Sequence, residues 1–208
     1  GMLYAGTGDA VEPELSQDRS SLAGKILRRP AGGEVPENNP FEGSYVYAMG
    51  LRNVQGLAWH PESGDLWATD HGPSGEFGLR AKDSVYVIER GGNYGWPRVL
   101  GVTDRRGVGD PILFYPDTAV PPAGAMFYTG DLMLEYRGNF FFASLGAQHL
   151  QRVTLSSPRT VSGIERWFVS SGTQGVYGRL RAAVQGPDGA IYVSTSNGSN
   201  DRVLRISK

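Results

Sequence analysis

Large apolar residues alternate with small or polar residues in four similar segments of the chain, each with a glycine at its start. Each segment is followed by a second short alternating stretch that contains a basic residue near its end. Alternation with a period of two, bounded by Gly, Pro, Asp and Asn, is typical of half-buried strands. The four segments are residues 1–9, 64–72, 138–146 and 189–197, and the stretches that follow them are residues 22–28, 84–90, 149–155 and 202–207.

The spacing of this repeat predicts a β-propeller. The repeated strands begin at Leu3, Leu66, Phe140 and Ile191, which are 63, 74 and 51 residues apart. A four-stranded blade takes ~40–50 residues, so the two longer spacings imply insertions, at residues 7–20 and roughly 91–125. No segment has the pattern of a helix longer than about two turns. We therefore expect an all-β chain in which residues 1–208 form a single partial propeller of about four blades; a β-sandwich is the alternative.

The chain opens in the middle of this pattern. A tight turn precedes the later repeats, as in residues 59–64 and 185–189, but nothing equivalent precedes Met2. A strand without its hairpin partner has an unpaired edge, which proteins usually avoid. We therefore expect the chain to be the C-terminal part of a longer protein, and we expect its open propeller edges to allow self-association.

Composition excludes several classes of function. The formal net charge is −1, and no apolar run approaches the ~20 residues of a membrane span, so nucleic acid and membrane insertion are not expected. Cysteine is absent, which excludes disulfides and thiolate metal sites. No Gly-x-Ser-x-Gly, Walker or dinucleotide-binding motif is present. The acidic residues of the first insertion lack a calcium-loop spacing and are expected to be solvated.

Two groups of polar residues are candidates for ligand binding. Arg52 and Asn53 precede an apolar stretch, at a strand entrance where loops line one end of a propeller, and Gln55 is a less certain third member. A guanidinium and an amide there can hold an anionic, carbonyl-rich ligand, or the arginine can simply pair with a neighbouring carboxylate. Arg179 and Arg181 alternate along a predicted strand and face the same side, where two like charges require an anion or an acidic side chain between them.

Gly72 and Pro73 form a turn that can present backbone carbonyl oxygens. Pro73 has no N–H to donate, and glycine tolerates unusual backbone angles. Calcium accepts backbone carbonyls among its oxygen ligands, although a Gly-Pro pair can also be a turn and nothing more. His71 precedes this turn, and we interpret it as a structural residue.

An ordered set of motifs along the chain resembles a known family. The motifs are residues 3–9 (LYAGTGD), 23–28 (AGKILR), 36–41 (PENNPF), 50–56 (GLRNVQG), 71–73 (HGP), 92–97 (GNYGWP), 178–181 (GRLR) and 186–189 (GPDG). They resemble the soluble quinoprotein glucose/sorbosone dehydrogenases, which include bacterial aldose sugar dehydrogenases. The resemblance implies a six-bladed propeller that oxidises sugars with pyrroloquinoline quinone (PQQ) held by calcium, in the periplasm or outside the cell.

The resemblance also implies roles for the candidate residues. Arg52 and Asn53 match residues that contact the cofactor, and Arg179 and Arg181 match arginines that flank it. The carbonyl groups of Gly72 and Pro73 match ligands of the calcium ion. A small-molecule sugar is the implied substrate.

Three departures from the family pattern weaken the expected activity. The His-x-x-Gly-Arg-Leu stretch that carries the family's general base is absent, and a positioned base contributes ~10²–10⁴-fold to a rate. Gly146 stands where better-studied members carry a lysine that reaches the cofactor, and Ser84 stands where some members carry a glutamate of a second calcium site. We expect these 208 residues alone to be inactive or weak. The alternatives are a non-catalytic binding or assembly module and, ranked last, a calcium-dependent lactonase-type hydrolase.

Overall fold

Antiparallel β-strands form nearly all of the regular structure. The computed structural model describes residues 1–170 and 175–208, which contain fourteen strands and three 3-10 helices of three to five residues. The strands are β1 (Met2–Gly6), β2 (Lys25–Pro30), β3 (Val46–Met49), β4 (Val54–Trp59), β5 (Leu66–Asp70), β6 (Asp83–Ile88), β7 (Leu113–Tyr115), β8 (Pro122–Phe127), β9 (Phe140–Ser144), β10 (Leu150–Ser157), β11 (Thr160–Trp167), β12 (Leu180–Gln185), β13 (Ile191–Thr195) and β14 (Val203–Ile206).

The strands form four meandering sheets in chain order. The first sheet is β1-β2-β3, the second β4-β5-β6-β7, the third β8-β9-β10-β11 and the fourth β12-β13-β14. Strands β4, β8 and β12 each begin a sheet and pack side by side. Glycine permits this close approach: a Cβ on Gly56 would lie 2.6 Å from the carbonyl oxygen of Ala123, and one on Gly124 would lie 2.9 Å from the Cα of Ala182.

The hydrophobic core is divided among the three interfaces between neighbouring sheets. Ile26 and Leu66 belong to the cluster between the first and second sheets. In the third sheet, Phe140 and Phe142 face Trp67 of the second sheet, while Phe141 points the other way into the cluster shared with the fourth sheet. Because successive residues of a strand point to opposite faces, a central sheet of this stack needs apolar residues on both faces.

This architecture confirms the all-β propeller prediction and is consistent with about four blades. The β-sandwich alternative is wrong, since a sandwich has two facing sheets and the described residues form four. The second predicted insertion, residues 91–125, is only partly a loop, because it contains β7 and the first part of β8. Within the described residues, no helix is long and apolar enough to cross a membrane.

Candidate functional site

The buried carboxylate of Asp70 organises the candidate site. Asp70 is the last residue of β5, and its two oxygens accept the backbone N–H groups of Arg52, at 3.1 Å, and Asn53, at 2.6 Å. Burial raises the pKa of Asp70 to about 6, even though these hydrogen bonds and the charge of Arg52 favour ionisation. The loop that carries both predicted cofactor residues is therefore tied to the end of β5.

The Arg52 side chain spans the turn that follows β5. Its Nη1 donates to the carbonyl oxygens of His71, at 3.0 Å, and Gly72, at 2.8 Å, and its Nη2 contacts Glu76 Oε1 at 2.9 Å. The guanidinium is mostly buried, with 13% of its side chain exposed. The sequence allows Arg52 either to bind a ligand or to pair with a neighbouring carboxylate. The structure contains the pair, with Glu76, beside the carbonyl-presenting turn.

A chain of polar side chains connects this loop to the fourth sheet. Gln55 donates from Nε2 to Asn53 Oδ1 at 2.8 Å, and Arg181 Nη1 donates to Gln55 Oε1 at 3.3 Å. The sequence did not decide whether Gln55 belongs to the site. In the structure, Gln55 connects the Arg52–Asn53 group to Arg181. Arg52, Asn53 and Arg181 therefore lie in one continuous network.

Arg179 and Arg181 flank the buried Leu180, as the alternation predicts. Arg179 is not on the strand, however. Strand β12 begins at Leu180 and has a bulge before Ala182, and the Arg179 backbone N–H donates to Asn197 Oδ1 at 2.8 Å. In the described part of the chain, neither guanidinium has a carboxylate partner, so the alternative of an acid-bridged surface pair is not observed.

Three arginines, Arg52, Arg179 and Arg181, influence the pKa of His71. Burial, and then the positive charge of Arg52, lower the pKa of His71 to about 4; Arg181 and Arg179 contribute in the same direction, and the opposing effect of Glu76 is outweighed. Its imidazole, 3.2 Å from Ser74 Oγ, is therefore neutral near neutral pH. Arg52 is paired with Glu76, whereas Arg179 and Arg181 add positive charge near the turn that no carboxylate pairs with directly in the described residues.

Asp83 and the backbone of Ala81 fix the position of the Gly72–Pro73 turn. The Gly72 N–H donates to Asp83 Oδ1 at 2.9 Å, and Asp83 Oδ2 accepts the N–H of Val120 at 2.9 Å. A Cβ on Gly72 would lie 2.0 Å from the Ala81 carbonyl oxygen, so only glycine fits. Burial raises the pKa of Asp83, although both hydrogen bonds favour its ionised form.

Few oxygen atoms at this turn are available to coordinate a calcium ion. Asp70 and Asp83 are committed to backbone N–H groups, and among residues 1–170 and 175–208 no group of three His, Cys, Asp or Glu side chains could hold a metal ion. What remains are the carbonyl groups of Gly72 and Pro73. A calcium ion fits this turn only in company with an anionic ligand that supplies further oxygens.

The two predicted insertions meet and form a wall beside the site. Trp96 Nε1 donates to the buried Asp9 carboxylate at 2.9 Å. Gln17 and Asn93 exchange side-chain hydrogen bonds of 3.0 and 2.8 Å. The expectation that the acidic residues of the first insertion are solvated is thus wrong for Asp9. Arg52, Gly72, Pro73 and Trp96 line a common small cavity.

Sequence reasoning missed the acidic residues that support the site. These residues are Asp70, Glu76 and Asp83, which all lie within eleven residues of Gly72 along the chain. Each accepts a hydrogen bond from Arg52, Asn53 or Gly72, yet none belongs to a recognisable metal-binding spacing. The available signal was a carboxylate at the end of a strand whose other residues are mostly apolar. Such a residue is rarely buried without specific partners.

We expect Asp70→Asn to destabilise the protein by about 1–3 kcal/mol, because one backbone N–H of Arg52 or Asn53 would then face an amide donor and lose its acceptor. The measurement is the free energy of unfolding in urea. Asp117→Asn is the matched control: its side chain is 90% exposed, and a change within about 0.5 kcal/mol is expected. Equal effects of the two substitutions would contradict the anchoring role.

Comparison with known proteins identifies the family of this chain. The family model for glucose/sorbosone dehydrogenases matches residues 1–205. An aldose sugar dehydrogenase of Escherichia coli is 27% identical over all of this chain and 57% of its own length. Quinoprotein glucose dehydrogenase B of Acinetobacter calcoaceticus is 40% identical over 47% of this chain and 20% of its own length.

The fold matches solved structures over nearly its whole length. The PQQ-bound aldose sugar dehydrogenase of Streptomyces coelicolor superimposes with a TM-score of 0.81 and is 34% identical, over 99% of this chain and 58% of that one. The chain spans about half the length of the curated relatives it matches, 48% and 57% for two of them. The motifs, the fold and the match to the family model together show that the chain belongs to the glucose/sorbosone dehydrogenase family.

Proposed function

We propose that the site binds PQQ together with calcium and that the protein acts in the oxidation of sugars. The observation that carries the proposal is a pair of arginines near the turn that form no ion pair: Arg179 and Arg181 have no acidic partner in the described chain, and Arg181 is joined to the loop of Arg52 and Asn53 through Gln55. A tricarboxylated quinone supplies the negative charge and the carbonyl oxygens that such a site requires. The PQQ-bound Streptomyces relative supports this choice of ligand.

Each candidate residue has a proposed part in holding the cofactor. Arg52, Asn53, Arg179 and Arg181 would donate to its carboxylates and carbonyls. The carbonyl oxygens of Gly72 and Pro73 would coordinate calcium, for which Arg52 must share or release the Gly72 oxygen that it contacts at 2.8 Å. When bound, the quinone supplies the acceptor for a hydride from the sugar. The periplasm or the cell exterior remains the proposed location.

PQQ binding in the presence of calcium, measured by isothermal titration calorimetry, tests the site. Arg179→Gln/Arg181→Gln should weaken binding by roughly 100-fold, since two charge-assisted hydrogen bonds of about 1.5 kcal/mol each are lost. Arg29→Gln/Arg166→Gln removes the same charge from two exposed strand residues and should bind like the wild type. Absence of binding by the wild type, or equal loss in both variants, would overturn the proposal.

Turnover by these residues alone is expected to be low, because none of the three histidines is suited to act as a base. The His60 Nδ1 accepts the N–H groups of Glu62 and Ser63, and His149 is buried against a backbone carbonyl and Gln151. His71 has a pKa of about 4. Dye-linked glucose oxidation with added PQQ and calcium should therefore stay near background, and robust turnover would refute this expectation.

A second candidate function is self-association as a non-catalytic module. The faces of the first and fourth sheets that point away from the core expose Leu3 (58%), Val184 (53%) and Val203 (70%). Burying such residues between copies is favourable. Sedimentation velocity should then show a dimer that dissociates in the Val184→Ser/Val203→Ser variant. A wild type that is monomeric at about 100 µM would exclude this candidate.

A further inference from the structure

A second positively charged cavity lies on the outer side of the loop that carries Trp96. Its volume is about 180 Å³, and Arg98, Arg105 and Arg106 line it together with Gln17 and Asn93. Trp96 lines the separate small cavity beside Gly72 and Pro73, whereas Arg98 faces this one. The two cavities are thus neighbours separated by one stretch of loop.

Two of the three arginines that line this cavity form no ion pair in the described residues, although Asp104 and Asp110 lie in the same loop. Arg98 is paired with Glu14 at 2.7 Å, its one ion-pair partner among residues 1–170 and 175–208. The guanidinium groups of Arg105 and Arg106 are exposed, and no side-chain hydrogen bond or ion pair involves them in the described part of the chain. Neighbouring guanidiniums repel one another unless an anion lies between them.

Hydrogen bonds between the two insertions hold the base of the cavity in place. The reciprocal hydrogen bonds between Gln17 and Asn93 join the two insertions, and the Asn93 carbonyl oxygen accepts the N–H of Gly109 at 2.8 Å. The loop that carries the two free arginines is closed by the bond from the Val108 N–H to the Arg105 carbonyl oxygen, at 3.2 Å. Arg105 and Arg106 therefore project from a fixed frame, which lowers the entropy lost on binding.

We propose that this cavity binds an oxyanion of the phosphate class, either a free ion or the phosphate group of a sugar. Guanidinium groups recognise phosphate and sulfate by paired, charge-assisted hydrogen bonds. Two unpaired guanidiniums and a third held in place match the charge of a dianion. The site does not depend on the cofactor proposal, because it shares no charged residue with the Arg52, Arg179 and Arg181 network.

Titration calorimetry with inorganic phosphate, at an ionic strength held constant with sodium chloride, tests the proposal. The wild type should bind one phosphate saturably, and Arg105→Gln/Arg106→Gln should weaken binding at least tenfold (about 1.4 kcal/mol or more). The control Arg29→Gln/Arg166→Gln, with the same change of charge, should bind phosphate like the wild type. Arg179→Gln/Arg181→Gln should also leave phosphate binding intact, which separates this result from failure of the cofactor proposal.

Several outcomes would overturn the inference. They are the absence of saturable phosphate binding, equal weakening in the control variant, and phosphate binding that survives loss of Arg105 and Arg106 but not of Arg179 and Arg181. Thermal melts of each variant establish that it is folded. Glucose 6-phosphate identifies the source of the anion: tighter binding than inorganic phosphate points to a phosphorylated sugar, and equal affinity points to the free ion.

Discussion

The pairing of one buried carboxylate with two backbone N–H groups supports the rest of the site. Asp70 is the last residue of β5 and accepts hydrogen bonds from Arg52 and Asn53, which end the loop that leads into β4. Leaving such donors unpaired in a low-dielectric interior is costly. The loop is therefore fixed with the Arg52 side chain directed across the following turn, where it holds the carbonyl groups of His71 and Gly72.

Charge is distributed unevenly around this frame. The chain as a whole is nearly neutral, with 20 basic and 21 acidic residues. Near Gly72, however, Arg179 and Arg181 form no ion pair in the described residues, because the nearby carboxylates have other partners. Asp70 and Asp83 bind backbone N–H groups, and Asp9 binds Trp96. Arginines without ion-pair partners favour anionic, oxygen-rich ligands.

The two insertions contact each other beside the candidate site. They pack on each other through Gln17 and Asn93, and the loop between them and the site exposes different side chains on its two sides. One side contributes Trp96 to the cavity beside Gly72 and Pro73, and the other contributes Arg98 to the cavity that we propose binds phosphate.

The sequence by itself determined the alternation of strands, the propeller class and the positions of Arg52, Asn53, Gly72, Arg179 and Arg181, because strand periodicity and local motifs are properties of neighbouring residues. It did not reveal the burial of Asp9 or the joining role of Gln55. Those depend on contacts between residues far apart in the chain, such as Asp9 with Trp96 and Gln55 with Arg181. Only the tertiary structure decided which acids were consumed by backbone N–H groups and which cations remained unpaired, since packing of the sheets sets the distances on which electrostatic interactions depend.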